Sequence, residues 1–233
     1  MQQRRHRTAP RLATLLACTA VPAMLIAGCS SGSGSDDKGS QATASAKAAP
    51  TTPALAPARF ATLPASCKTV TQGTVTALVP KAKDPGGTEA KSSDVQSRGG
   101  CSWTGNGKDG YQYRWLAVTM QRFSNSPELG SAEEQAKKRF ADQVADLGRL
   151  PGTTTTALTG LGDQASSVSG KATVAKVTSQ NDTVVARTGN VVLIVEFNGA
   201  GLAGKKNPSA RTVHSGAQRA AKDAVAAVAA ANA

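Results

Sequence analysis

The chain has 233 residues, and 27 Lys and Arg against 15 Asp and Glu give a formal net charge of +12. Two histidines, four cysteines and 3% aromatic residues disfavour zinc fingers, haem attachment, iron–sulfur clusters and most metallohydrolase sites. The length suits one folded domain with appendages.

Residues 1–11 carry Arg4, Arg5, Arg7 and Arg11 and no acid, and Leu12 to Gly28 is an uncharged, mostly apolar run broken by Thr14, Thr19 and Pro22. A basic region before a short apolar one has the form of an export signal, and the run falls short of the ~20 apolar residues of a membrane-spanning helix. It closes on Leu25-Ile26-Ala27-Gly28-Cys29, which resembles the lipobox of bacterial lipoproteins. That resemblance implies cleavage between Gly28 and Cys29, a diacylglycerol on the Cys29 thiol and acylation of the new N-terminus. Cys18 lies too close to Arg11 to follow an apolar stretch of the usual length. The plainer alternative is an ordinary signal cut near Ala27, with Cys29 a spare thiol. Arg4-Arg5 is one element of a twin-arginine signal.

Residues 29–59 are Ser, Gly, Ala, Thr and Pro with few charges and one large aliphatic residue, Leu55. Such a segment buries too little apolar surface to offset its conformational entropy. It reads as a disordered tether with a reach of roughly 30 Å, stiffened by Pro50, Pro53 and Pro57. Residues 60–233 then form the single domain. With the signal removed, 23 bases remain against 15 acids, a net charge of +8.

The domain keeps two cysteines, Cys67 and Cys101. In an exported domain they read as one disulfide, worth roughly 3.5–4 kcal/mol in the chain-entropy account. The competing reading is a reactive thiol pair, for which no C-x-x-C exists.

In chain order, Ser66 to Pro80 predicts a short helix that Thr71 caps, with Val75, Leu78 and Val79 at helical spacing and Pro80 as its end. Lys81 to Gly100 has no periodicity and reads as a long surface loop. A strand is expected near Cys101-Ser102-Trp103. Tyr111 to Phe123 alternates as a strand, with Tyr111, Tyr113 and Trp115 on one face and Leu116, Val118 and Met120 on the other. Ser131-Ala132-Glu133-Glu134 is a capping box, and Ala136, Phe140, Val144 and Leu147 then recur on one face, predicting a helix over 132–147 with Gly148 as C-cap. Three short strands are expected at 164–169, 172–178 and 183–188, followed by a turn at Gly189-Asn190. The run Val191 to Phe197 has the pattern of a central strand. Gly199 to Lys206 reads as a loop. Asn207 as N-cap and Pro208 at the first helical position open an Ala-rich closing helix. Strands joined by short turns, with three one-faced helices, predict an α+β domain: an antiparallel sheet with helices packed against it.

Several of these landmarks together resemble a family of actinobacterial lipoproteins whose domain has no assigned function. They are Cys67, the Cys101-Ser102-Trp103 triplet, Gly160-Leu161-Gly162-Asp163-Gln164-Ala165, the hairpin from Val185 to Val192, and the Ala-rich last helix. More distantly the chain is similar to extracellular sensor domains of mycobacterial serine/threonine kinases and to small lipoproteins with the PsbP fold. The resemblance implies a lipid-anchored, disulfide-stapled α+β domain and transfers no catalytic residue.

The chemistry-bearing residues are sparse. His6 lies in the signal, so a Ser–His–Asp constellation must use His214, and no G-x-S-x-G elbow supports one. One histidine and two paired cysteines offer no transition-metal ligand set, and no cofactor motif is present. Gly160-x-Gly162 precedes a strand and lacks the third glycine of a dinucleotide fingerprint; positive-φ turns explain it better. Glu196 and Asp163 are the acids set among the later strands, the only pair a wall hydrolase would have there. Both tryptophans and both tyrosines fall within 103–115, so Tyr111, Tyr113 and Trp115 are candidates for a stacking platform for a sugar ring or a peptide, with packing under a helix as the alternative. Lys137-Lys138-Arg139 and Lys205-Lys206 with Arg211 are basic clusters that could meet anionic wall polymer or lipid headgroups, without the interleaved aromatics of a nucleic-acid surface.

These features lead to one expectation. The protein is a non-enzymatic lipoprotein on the outer face of the cytoplasmic membrane, held by the lipid on Cys29. Its domain binds or senses an envelope protein, peptide or wall polymer, and no nucleic acid. A carrier of lipid or glycolipid in an apolar cavity is the alternative reading, and a wall hydrolase the weaker third.

Overall fold

A computed structural model describes residues 55–233; residues 1–54, with the export signal, the lipobox Cys29 and most of the tether, lie outside the described residues. After an extended lead-in and a 3-10 turn at Ser66–Lys68, the elements in chain order are α1 (Gln72–Leu78), β1 (Lys81–Ala82), β2 (Thr88–Glu89), β3 (Arg98–Asn106), β4 (Gln112–Arg122), α2 (Ala132–Gly148), β5 (Thr153–Leu158), β6 (Gln164–Val174), β7 (Val177–Thr188), β8 (Val191–Gly201) and α3 (Ala210–Ala230). All strand pairings are antiparallel, in the order β1-β3-β4-β8-β7-β6-β5, with β2 also on the outer edge of β3. This is the α+β architecture expected from the sequence, and β8 is its central strand.

The two faces of the sheet are unequal. Val191, Leu193, Val195 and Phe197 of β8, with Leu116 and Val118 of β4, belong to the main core under α1 and α3. The alternate positions Val192 and Ile194, with Val185, face α2 and form a smaller cluster with Ala136, Phe140 and Val144. Along α3, Gly216, Ala217, Ala220, Ala221 and Ala224 are buried. A Cβ on Gly216 would stand 2.6 Å from the Phe197 ring, so the helix backbone rests directly on the sheet and leaves no room between them.

Several expectations need correction. Thr71 does cap α1, its hydroxyl accepting from the Thr74 N–H, but Cys67 sits on the separate 3-10 turn before it. The segment 81–100 carries two short strands and the start of β3. It is held down because Lys83 and Ala90 donate to the Thr104 and Gly100 carbonyls, and because Gly87, at φ +85, lies against Trp103 and the Cys101 sulfur. The α2 helix runs through Gly148, and Arg149 is its C-cap. Thr153–Leu158 is an edge strand that the sequence reading omitted. The three short strands expected over 164–188 are two long ones, joined by a two-residue turn at Ala175-Lys176, both at positive φ. β8 continues to Gly201, and Ser209 rather than Asn207 caps α3. Asn207 instead accepts from the Gly201 N–H at 2.8 Å and donates to the Thr178 carbonyl at 2.9 Å.

Cys67 and Cys101 are joined, tying the 3-10 turn to β3. Replacing both by Ser should lower stability by about 3.5–4 kcal/mol, which for a domain of this size is a fall in Tm of about 10 °C. Calorimetry on the oxidised protein and the double variant checks this.

Candidate functional site

The second face of the sheet is where side chains remain accessible. α2 lies across β5, β6, β7 and β8. On β3 and β4, the residues of this face are Arg98, Gly100, Ser102 and Thr104, and Tyr113, Trp115, Ala117, Thr119 and Gln121. All of them except Gly100 are half-buried or exposed. Strand register places them in rows across the sheet: Thr104, Trp115, Asn198 and Asn181 in one, Ser102, Ala117, Glu196 and Thr183 in the next, and Gly100, Thr119, Ile194 and Val185 beyond. This partly exposed strip along β3 and β4, the trough, has aromatic side chains at one end.

At its other end lies a cavity of about 480 Å³. Gly100, Thr119, Gln121, Val192 and Ile194 form its floor, Lys91 to Asp94 one wall, and Arg98 and Arg139 complete it. Among the described residues, none of Lys91, Arg98 and Arg139 takes part in an ion pair. The Asp94 carboxyl is held below its ordinary range, first by the Ser97 hydroxyl and to a lesser extent by nearby Arg98. The wall therefore has a surplus of positive charge.

The sequence-level candidates fall as follows. Tyr113 and Trp115 share the open face, half-buried, and desolvation raises the Tyr113 hydroxyl pKa. Tyr111 precedes β4 and is 54% exposed, with the Lys205 ammonium 4.9 Å from its ring centre. Trp103 faces the opposite way and is buried in the main core. Glu196 projects from the middle of the trough floor, where desolvation raises its pKa although the residue keeps solvent contact. Asp163 sits at the far end of the β7–β8 hairpin, accepting from the Gly189 N–H at 2.6 Å and lying 3.3 Å from Arg187. Seven residues along β8 separate that turn from Glu196, roughly 20 Å of strand, so the two carboxylates do not converge. Gly160 and Gly162 both have positive φ, as turn residues. Lys137 and Lys138 are exposed on α2 and Lys138 pairs with Asp142, whereas Arg139 turns toward the cavity. Lys91, Arg98 and the cavity they line were not singled out by sequence reasoning, because the segment that carries them shows no periodicity.

His214 does meet a serine and an aspartate. Its Nδ1 lies 2.8 Å from Asp182 Oδ2 and 3.2 Å from Ser167 Oγ, and Ser167 also donates to Asp182 at 2.9 Å. Its Nε2 lies 2.6 Å from Gln218 Nε2. In a serine hydrolase the hydroxyl stands on the Nε2 side, opposite the aspartate. Here the hydroxyl is on the aspartate side and Gln218 caps Nε2, so the histidine has no free nitrogen with which to activate Ser167. The group joins α3 to the sheet. Asp182 is 1% exposed, and desolvation raises its pKa against the opposing hydrogen bonds of His214 and Ser167.

Among the described residues there is no cluster of His, Cys, Asp and Glu suited to a metal ion, and no helix long and apolar enough to cross a membrane.

The described residues thus form an α+β domain with one sealed and one half-open sheet face. No protein-family model and no curated protein matches the chain. Among solved structures it is similar to the crystal structure of LpqN, involved in cell envelope biogenesis of Mycobacterium tuberculosis, at 17% identity, with 60% of this chain and 84% of that one covered and a TM-score of 0.29. Nothing about this chain's activity follows from so shallow a likeness.

Burial of Asp182 makes the stability of the fold depend on its protonation. A carboxyl whose folded pKa is raised adds stability in its protonated form, fully present below the ordinary value of 3.8 and lost as pH rises through the folded value. Asp182→Asn should remove that pH-dependent loss, flattening the stability profile from pH 4 upward. Urea titrations of both proteins between pH 3.5 and 7 read the difference.

Proposed function

We propose that the protein is a lipid-anchored envelope protein whose domain is a non-enzymatic binding module, with the open part of the second sheet face as its ligand site. One observation carries this reading. The trough sets half-buried aromatic side chains on the same sheet face as a cavity with an apolar floor at Ile194 and unpaired cationic groups, the mixture of apolar surface and a few placed polar groups that ligand sites share.

The lipobox-like Leu25 to Cys29 and the tether-like composition after it support display from a membrane surface. A lipid carrier finds no cavity between α3 and the sheet, where Gly216 lies against Phe197. A wall hydrolase built on Glu196 and Asp163 lacks converging acids.

Two measurements test the two halves of the proposal. Cys29→Ser should leave the precursor uncut or shift the protein from the membrane fraction to the medium; unchanged processing and retention would remove the anchor. For the site, a photoreactive residue placed at Thr119 in living cells should give an adduct with an envelope component, and one placed at exposed Lys171 on the far hairpin should not. Equal labelling at both positions, or none at Thr119, removes the trough as the binding face.

A further inference from the structure

The trough's chemistry narrows the ligand class, on the reading that this face is the binding site. From Gln121 to Trp115 along β4 is roughly 20 Å, and Tyr113 extends the face by a further ~7 Å. A site of that length fits an extended chain better than a compact small molecule. The floor between its ends is made of short side chains, Ser102, Ala117 and Thr119 beside Glu196, so a broad ring can lie flat on it.

The ends differ in kind. Lys91, Arg98 and Arg139 face Asp94 alone among the acids lining the cavity, and a guanidinium fork matches a carboxylate in bidentate geometry. Trp115 and Tyr113 present aromatic surface, whose electron-rich faces attract the C–H groups of a sugar ring. Glu196 in the middle disfavours a chain with negative charge at every link, because such a chain would set one charge over the carboxylate. It suits hydroxyl groups, which donate to it. Charge is therefore wanted at one end and uncharged, hydroxylated rings over the remainder.

We infer that the trough holds a strand of acidic polysaccharide, with a carboxylate-bearing sugar between Arg98 and Arg139 and uncharged sugars lying over Ala117 toward Trp115 and Tyr113. The sugars' ring faces stack at the aromatic end, and the Arg end sets direction along the strand.

Full-length protein in detergent micelles is titrated with hyaluronan oligosaccharides, in which uronic acid alternates with an uncharged N-acetyl sugar. Uncharged chito-oligosaccharides supply rings without charge, polyglutamate supplies carboxylates without rings, and poly(glycerol phosphate) supplies charge at every link. Hyaluronan is expected to bind at least ten-fold more tightly than each of the other three and to change the fluorescence of Trp115, a signal absent in Trp115→Phe. Arg98→Glu with Arg139→Glu should bring hyaluronan down to the level of the chito-oligosaccharide. Trp115→Ala should weaken hyaluronan at least ten-fold, while Trp115→Phe, which keeps an aromatic face and guards against a mere loss of folding, retains most of the binding. Polyglutamate or poly(glycerol phosphate) binding as tightly as hyaluronan overturns the inference, as does insensitivity to the arginine pair. An adduct at Thr119 in cells combined with no preference for hyaluronan overturns the ligand class alone and leaves the binding face in place. No adduct there removes both.

Discussion

The fully buried side chain of Asn190 fixes the positions of three separate parts of the chain. Its amide donates to the carbonyls of Phe60 and Phe123, at 3.0 and 2.7 Å, and its oxygen accepts from the Phe60 N–H at 2.8 Å. Its own carbonyl accepts from the Phe123 N–H. The lead-in segment, the end of β4 and the β7–β8 turn are thereby locked to one another. Each partner left unpaired in the interior would cost about 1–3 kcal/mol, so no other residue type can fill the position without loss. The neighbouring Gly189 takes φ +51, and a Cβ there would stand 2.8 Å from the Arg59 side chain and 3.1 Å from the Phe60 ring. The lead-in can cross the turn only because that side chain is missing.

The open face of the sheet follows from this lock. With Phe123 held, Asn125 lies where its oxygen accepts from the Ala132 N–H at 2.8 Å, and the capping box of Ser131 and Glu134 starts α2 at once. The helix launches from the β4–β8 end of the sheet and runs toward β5. One helix, ~10 Å across, cannot cover seven strands at a spacing of ~4.8 Å. The strands that α2 does not cross, β3 and β4, keep their outward residues in contact with solvent. The floor of the trough is thus set by strand register, while Lys91 to Asp94, before β3, wall the cavity at its end.

How much of this was legible in the sequence depends on where local signals agreed with the fold. The capping box, the β4 alternation and the apolar β8 run are strong local patterns, and each appears where it was expected. The β6–β7 hairpin differs from its sequence pattern for an identifiable reason. Its turn residues, Ala175 and Lys176, adopt positive φ without the Gly or Asn that such turns favour, while Gly170, Asn181 and Asp182 supply turn-like signals inside the strands. β5 was missed because it is an edge strand with most side chains exposed, so Thr153 to Thr156 show no alternation. The aromatic residues of β4 could be assigned to a shared face by parity, but which face α2 would cover depends on Asn190, whose contact with Phe123 spans 67 residues that no local window contains. Arg98 and Arg139 meet only through tertiary packing.

The same distinction accounts for the cluster at His214. A helix whose buried face between Val213 and Val228 is Gly216, Ala217, Ala220, Ala221 and Ala224 can approach a sheet closely, yet this small-residue stretch adds little side-chain relief to hold its register. Asp182, buried on β7, adds specificity: its hydrogen bonds with His214 and Ser167 help to fix the axial position and rotation of α3, together with the Asp223–Thr71 and Arg219–Thr74 contacts on the same helix. Burying a carboxylate costs stability through desolvation, and the raised pKa of Asp182 reflects that cost. Polar groups that fix register at some expense in stability have precedent in helical assemblies. The three side chains of a hydrolase thus occur together in an order that serves positioning, and they lie on the sheet face opposite to the one where Tyr113, Trp115 and Glu196 keep solvent contact.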